Sequence, residues 1–204
     1  NYFYDLADHP RDITGDYDFE TPQALDLEMI NRHIKELISG KEITVPYYNF
    51  KKGRRDGNQG TLSLKENEIL LIDSLHGMFD KMTMDISEEK KCKIYIETLS
   101  QIKDNESRFV RWTDIRMMRR MVRDTQFRNY NALETIKHWR YVRRSELRYI
   151  ISKLEFAHII INSFLPYELP VLKKYLSQSF TSFVETLKGN KEHEDAYERA
   201  IRIK

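Results

Sequence analysis

A chain of 204 residues suits one domain, a size at which about 70% of the unfolded surface can be buried. With 40% hydrophobic and 32% charged residues it is too apolar for a disordered tail and too charged for a membrane protein. Its longest mainly apolar run, Phe156 to Phe164, falls well short of the roughly 20 residues that span a bilayer. No secretory signal pattern is visible, and the single cysteine, Cys92, cannot form an internal disulfide. A reducing, cytoplasmic setting is the expectation.

The net charge of +2 conceals an asymmetry. Residues 1–36 carry nine acids against three bases, whereas residues 108–148 carry twelve Lys/Arg against four acids. An arginine-rich middle is suited to an anionic partner. Nucleotide phosphate, nucleic acid and an acidic protein surface all qualify, and charge alone does not choose among them.

In chain order, residues 1–20 are aromatic, acidic and rich in turn formers, with no sustained period of 2 or 3.6, which predicts a structured loop. Thr21-Pro22 reads as an N-cap followed by proline at the first helical position. Leu25, Met29, Ile30, Ile34, Leu37 and Ile38 follow at helical spacing, and Gly40 is the C-cap candidate. Residues 42–47 predict a short strand that Pro46 confines to an edge. Residues 51–60 read as a basic, glycine-containing loop, after which TLSL returns as a hairpin strand. Three β-branched runs, at 69–73, 93–98 and 158–162, predict buried parallel strands separated by helical stretches. Helices are expected at about 113–128, 133–150 and 170–187, and a helical or frayed tail after Gly189. Strands alternating with helices predict an α/β layer fold.

Asp73 closes the apolar run Ile69-Leu70-Leu71-Ile72. In open α/β sheets ligands sit beyond the carboxyl ends of the strands, where an acid can hold Mg²⁺ directly or through water. A loop-ordering or helix-capping aspartate is the plainer alternative, and His76 on the same turn reads as structural. The run Arg116 to Asp124 carries more information. Arg116, Arg120 and Arg123 share one helical face, with Arg119 beside them. Four guanidiniums on one helix repel one another unless a concentrated negative charge lies close, and the planar fork of arginine suits phosphate. The alternative is a solvated face paired to Asp114, Asp124 and the acidic N-terminal region. Met117, Met118 and Met121 read as core filler. No histidine, cysteine or carboxylate spacing resembles a metal site, and none of the seven glycines belongs to a G-x-x-x-x-G-K-[ST] loop.

Taken together, NYF at 1–3, YDFETPQALDLEMI at 17–30, VPYYNFKKGRRDG at 45–57, ILLIDSLHG at 69–77, TDIRMMRRMVRDTQFRNY at 113–130 and INSFLPYELPVLKKYL at 161–176 resemble the uridine kinase/phosphoribulokinase family of P-loop phosphotransferases. The likeness is greatest to bacterial uridine-kinase-like proteins. It implies an α/β, three-layer P-loop NTPase-like domain over 1–188, with a mainly parallel sheet, an arginine-rich helical lid and a helical tail at 189–204. It implies a kinase that uses ATP and Mg²⁺ to phosphorylate a hydroxyl of a nucleoside or sugar-like acceptor. By the same resemblance Phe3, Phe19, Glu20, Tyr48 and Arg116 contact the acceptor. Asp73 takes the Mg²⁺-holding acid's place at the strand end, catalysis involves Arg119, Arg120 and Arg123, and Arg128 belongs to the phosphate lid. Nucleotide and small-molecule acceptor are the implied partners, with no membrane, and the family pattern allows a homo-oligomer and additional N-terminal domains.

The sequence departs from the family pattern at several points. Gly53 stands where uridine kinases present a base-reading histidine, Asn129 replaces a lid glycine, and Asp73-Ser74-Leu75 replaces an E-G-I turn. The phosphate loop and the aspartate expected before Asn1 are absent. The sequence therefore reads as an N-terminally truncated kinase that is inactive as it stands. A non-catalytic kinase-like interaction module is the alternative, with an RNA-binding domain built on the arginine helix as the weaker one.

Overall fold

The first helix, α1 (Leu27–Ile38), shows how local chemistry sets the frame of the N-terminal region. It buries Ile30, Ile34 and Leu37 on one face, as the helical spacing requires. Its N-cap is Asp26, whose Oδ1 accepts from the Met29 N–H at 2.9 Å. The Thr21-Pro22 signal marks instead a separate 3-10 turn, Pro22–Ala24, after which Leu25 is extended. At the other end Gly40 takes φ 77°, and the Lys41 N–H reaches back to the Glu36 carbonyl at 2.9 Å, a Schellman-type closure.

The computed structural model describes residues 1–13, 15–127 and 130–204, and the chain divides into two units. One comprises Asn1–Lys93 with Ser145–His158, the other Ile94–Arg144 with Ile159–Lys204.

In the first unit the loop of residues 1–20 is pinned by bridges Phe3–Leu25 and Arg11–Tyr17. Strands β1 (Ile43–Asn49) and β2 (Arg54–Leu62) form an antiparallel pair, as expected for 42–64. Its register slips on both sides of Pro46, the position whose missing N–H cannot sustain a regular ladder. The stretch expected as a loop over 51–60 is mostly strand, because β2 begins at Arg54. Pairing with β1, rather than β propensity, makes Arg-Arg-Asp-Gly-Asn-Gln-Gly a strand.

The expected strand at 69–73 is not formed. Ile69 is 92% exposed and Leu71 83%, so the burial that drives an all-apolar strand is not realised there. Behind this segment Ile30, Ile34 and Met82 form a small core, joined by Tyr2, Leu25, Leu70 and Phe79. Asn31, buried on α1, donates to the Leu27 and Lys81 carbonyls, both at 2.8 Å, and so ties the helix to the 3-10 turn Asp80–Met82.

In the second unit β3 (Ile94–Glu97) and β4 (Ile159–Asn162) pair in parallel with Ile94 opposite Ile159. Two of the three expected parallel strands therefore pair as expected. They are not the buried strands their composition predicts, since every residue of β4 and both Ile94 and Ile96 of β3 are exposed. The Asn162 amide bridges both backbone groups of Leu99, at 3.0 and 3.1 Å, and holds the segment leaving β3. The helices are α2 (Trp112–Phe127), α3 (Ala132–Tyr149), α4 (Glu168–Leu187) and α5 (Glu194–Ile203). The residues of α3 from Ser145 onward belong to the first unit. Met117, Met118 and Met121 lie in a core with Ile136, Trp139, Leu176 and Phe180, as the helical pattern predicts. The chain is thus α/β, and among the described residues no helix is long and apolar enough to cross a membrane.

Candidate active site

The first unit encloses a cavity of about 460 Å³. Phe3 and Phe19 contribute to its wall, as do the 70–76 segment with Asp73 and His76, and Tyr2 and His33. The apolar wall comes from α1, β1 and Met82. Tyr2 and His33 are joined by a 2.9 Å hydrogen bond between the phenol and Nδ1.

Phe3 is the centre of an aromatic cluster. Its ring lies 5.5 Å from those of Phe19 and Tyr48 and 5.6 Å from that of Phe50, in edge or tilted contacts suited to ring quadrupoles. His9 packs 4.1 Å from Phe19. Tyr48 is 1% exposed, and its hydroxyl has no hydrogen-bond partner among the described residues. Burial pushes that phenol above its usual range. Tyr48 packs against Phe3 and does not line the cavity, whereas Phe3 and Phe19 do, along with the rings of Tyr2, His33 and His76.

Glu20 follows Phe19, and its backbone is held at both ends. Its N–H donates to Asp18 Oδ1 at 2.9 Å, and its carbonyl accepts from the Ser145 hydroxyl. Asp73 is exposed, on the cavity's rim. A further anchor is Arg55, which donates through Nε to the Phe3 carbonyl at 3.1 Å and pairs with Asp26 at 2.9 Å.

Gly53, at φ 64°, packs directly against Leu6, and a side chain there would collide with the Leu6 side chain. Its carbonyl accepts from the Leu6 N–H at 2.9 Å. The position that carries a histidine in the family pattern here disfavours any side chain, through its positive φ and the Leu6 side chain that would have to move.

In the second unit the arginines of α2 each meet an acid. Arg116 lies 3.5 Å from Glu97, a buried carboxylate that also accepts from the Thr98 N–H at 2.7 Å. Tyr95, beside Glu97, is pushed up to about 12 by burial and then by that negative charge. Arg143 is lowered from its usual value, first by burial and then by Arg116. Arg119 makes a two-pronged pair with Glu168 and reaches the Ser163 carbonyl at 3.3 Å. Arg120 and Arg123 share one carboxylate, Asp124, at 3.2 and 3.0 Å. Arg123 keeps 48% of its side chain exposed. Asp114 pairs with Arg202 at 2.8 Å. Arg128 lies outside the described residues.

The structure thus gathers Phe3, Phe19 and Asp73 around one cavity in the first unit, with Glu20 adjoining, and places Arg116, Arg119, Arg120 and Arg123 on one helix of the second. Sequence reasoning missed the Asp26–Arg55 pair, Phe50, Glu168 and the burial of His76. Phe50 carries a usable signal, since it follows Tyr48 by two residues just past the end of β1 and its ring packs 5.0 Å from that of Tyr48. The other three depend on distant partners and have no local signature.

The described residues thus contain a parallel β3–β4 pair, an arginine-rich helix that lies between those two strands in the chain, and a cavity lined in part by aromatic rings. The sequence profile described as Phosphoribulokinase / Uridine kinase family matches residues 3–168, and the chain belongs to this family. It is similar to a uridine kinase of Deinococcus deserti, 24% identical over 79% of this chain and 70% of that protein. It is similar also to a uridine kinase of Halobacterium salinarum, 25% identical over 61% of this chain and 47% of that one. A uridine-cytidine kinase B of Dictyostelium discoideum is 25% identical over 79% of this chain and 59% of its own length. The last two relatives thus extend well beyond the region this chain spans.

Proposed function

We propose that these residues form the acceptor-binding part and the arginine helix of an ATP- and Mg²⁺-dependent kinase acting on a hydroxyl of a nucleoside or sugar-like molecule. The observation that carries the reading is the cavity faced by Phe3 and Phe19, with Asp73 at its rim. Aromatic faces stack on a base or sugar while a neighbouring carboxylate accepts hydroxyl hydrogen bonds, the task assigned to Glu20. The names of the relatives put pyrimidine nucleosides first among acceptors to try. Gly53 argues against base reading from that position, so specificity for uridine does not follow from family membership.

Among the described residues no three His, Cys, Asp or Glu side chains form a metal cage. A lone exposed carboxylate at a cavity rim instead fits Mg²⁺ that arrives with substrate phosphates and keeps most of its waters, and Asp73 is that carboxylate. The chemistry supplied by bound MgATP is a transferable γ-phosphoryl group and part of its charge neutralisation. For the phosphates themselves the fit is partial. Arg123 keeps about half of its side chain exposed and available to an anion, but these 204 residues contain no glycine-rich loop to wrap phosphates with backbone N–H groups. We therefore propose binding without turnover for this chain, α2 serving as an arginine-rich lid in a three-layer P-loop arrangement with a mainly parallel sheet. In the same proposal residues 189–204 form a helical appendage. The alternative is a non-catalytic kinase-like interaction module.

Calorimetric titration with uridine, cytidine and ribulose 5-phosphate tests the reading. Binding of at least one, weakened about tenfold or more by Glu20→Gln, is expected. Failure of all three to bind would remove the acceptor reading and leave the interaction module.

A further inference from the structure

His76 is a buried polar side chain of the cavity whose ring the fold leaves without a well-formed hydrogen bond. It lines the cavity, is 3% exposed, and neither ring nitrogen makes a hydrogen bond among the described residues. The turn that carries it is fixed, its N–H donating to Ser74 Oγ at 3.3 Å, and the Tyr149 ring packs edge-on at 6.1 Å. The Glu20 backbone and carboxylate act on the ring, raising its proton affinity against the larger effect of burial, but no well-formed hydrogen bond closes between them and the Glu20 carbonyl already accepts from Ser145. Burying a group that can both donate and accept, with neither function used, is costly unless something else occupies the site. From this geometry we infer that His76 determines acceptor specificity by hydrogen-bonding a hydroxyl of the sugar bound in the cavity, beside Glu20. A hydroxyl suits it because it both donates and accepts, matching either nitrogen of a neutral imidazole. Burial keeps the ring in that neutral form at physiological pH by lowering its proton affinity.

The inference rests on the acceptor reading above, and its test separates the two. Binding of uridine, 2′-deoxyuridine and 3′-deoxyuridine to the 204-residue chain is measured for the unchanged protein, His76→Phe and His76→Gln. His76→Phe is expected to weaken uridine about tenfold while changing one deoxy form by no more than about twofold, because the lost partner is that hydroxyl. His76→Gln should recover most of the loss. If His76→Phe does not fold, the ring ¹⁵N resonances of the unchanged chain decide, and they are expected to shift on saturation with uridine. Equal losses on all three nucleosides, or unmoved ¹⁵N resonances, overturn the role of His76. If uridine moves Phe3 and Phe19 but not His76, this inference alone fails. If uridine binds nowhere in the cavity, the acceptor reading fails with it.

Discussion

Asp26 uses its two carboxylate oxygens for two different tasks: Oδ1 accepts from the Met29 N–H at 2.9 Å, and Oδ2 pairs with Arg55 at 2.9 Å. One side chain thus caps α1 and anchors β2, while Arg55 carries the link onward to the Phe3 carbonyl beside the cavity. The pair is largely shielded, with side-chain exposures of 25% and 15%, so removing one partner strands the other. Asp26→Ala should destabilise the first unit by about 2–4 kcal/mol, combining a lost cap with an unpaired arginine. Asp26→Asn should recover the cap portion. Amide-exchange protection over residues 27–38 reads both, and unchanged protection in Asp26→Ala would contradict the linkage.

Gly53 offers a sharper steric test. Its φ of 64° and its contact with Leu6 disfavour any side chain. Gly53→His should cost more than about 1 kcal/mol in urea unfolding, from left-handed strain together with overpacking. Leu6→Ala in the same chain should relieve part of that cost by removing the obstructing atoms. A Gly53→His protein as stable as the parent would show that the histidine position is open after all.

Acid should weaken the first unit before its carboxylates titrate. Burial is the largest cause lowering the imidazoles of His9, His33 and His76 below their ordinary value. In the unfolded chain these rings take up protons as pH falls through about 6.5, while in the fold they stay neutral longer. The unfolded state then binds more protons, so the stabilisation is complete above that pH and is lost below it, as pH falls through the folded values. Denaturant midpoints at pH 7.5 and 5.5 should differ in that direction, and His76→Gln should reduce the difference. Glu88, lowered to about 2 by its lysine partners, acts only at more acid pH and leaves this window clear.

The arginines of α2 should separate into two groups. Arg119, clasped by Glu168 and the Ser163 carbonyl, is a structural tie, and Arg119→Ala should lower the stability of the second unit by about 2–4 kcal/mol. Arg123→Ala should cost less than about 1 kcal/mol, because Arg120 still pairs with Asp124 and the lost guanidinium is half exposed. Binding of inorganic pyrophosphate should respond in the opposite order, with Arg123→Ala weakening it and its affinity falling as salt rises. Equal effects of the two substitutions on both readouts would contradict the division.

Much of this architecture was legible where the information is local. The spacing of Ile30, Ile34 and Leu37 and the glycine at 40 predicted α1 and its end, and the β-branched runs at 94–97 and 159–162 pair in parallel as read. Failures came where distant groups decide. Residues 69–73 have the composition of a buried strand, yet Ile69 and Leu71 remain exposed and unpaired in any ladder. The glycine-rich 54–62 segment has little β propensity and is a strand because β1 lies beside it. In the site, Phe3 and Phe19 were named through resemblance, and the cavity brings them together with Asp73. His76 looked ordinary because its significance is a missing hydrogen bond, which no sequence displays.

The central claim is that the cavity of the first unit receives the acceptor. With phenylalanines ¹³C-labelled and assigned, a titration with uridine should move the ring resonances of Phe3 and Phe19 together in a saturable way. Those of Phe180 and Phe183, buried in the core of the second unit, should stay in place. Saturable binding that leaves Phe3 and Phe19 unmoved would contradict the account.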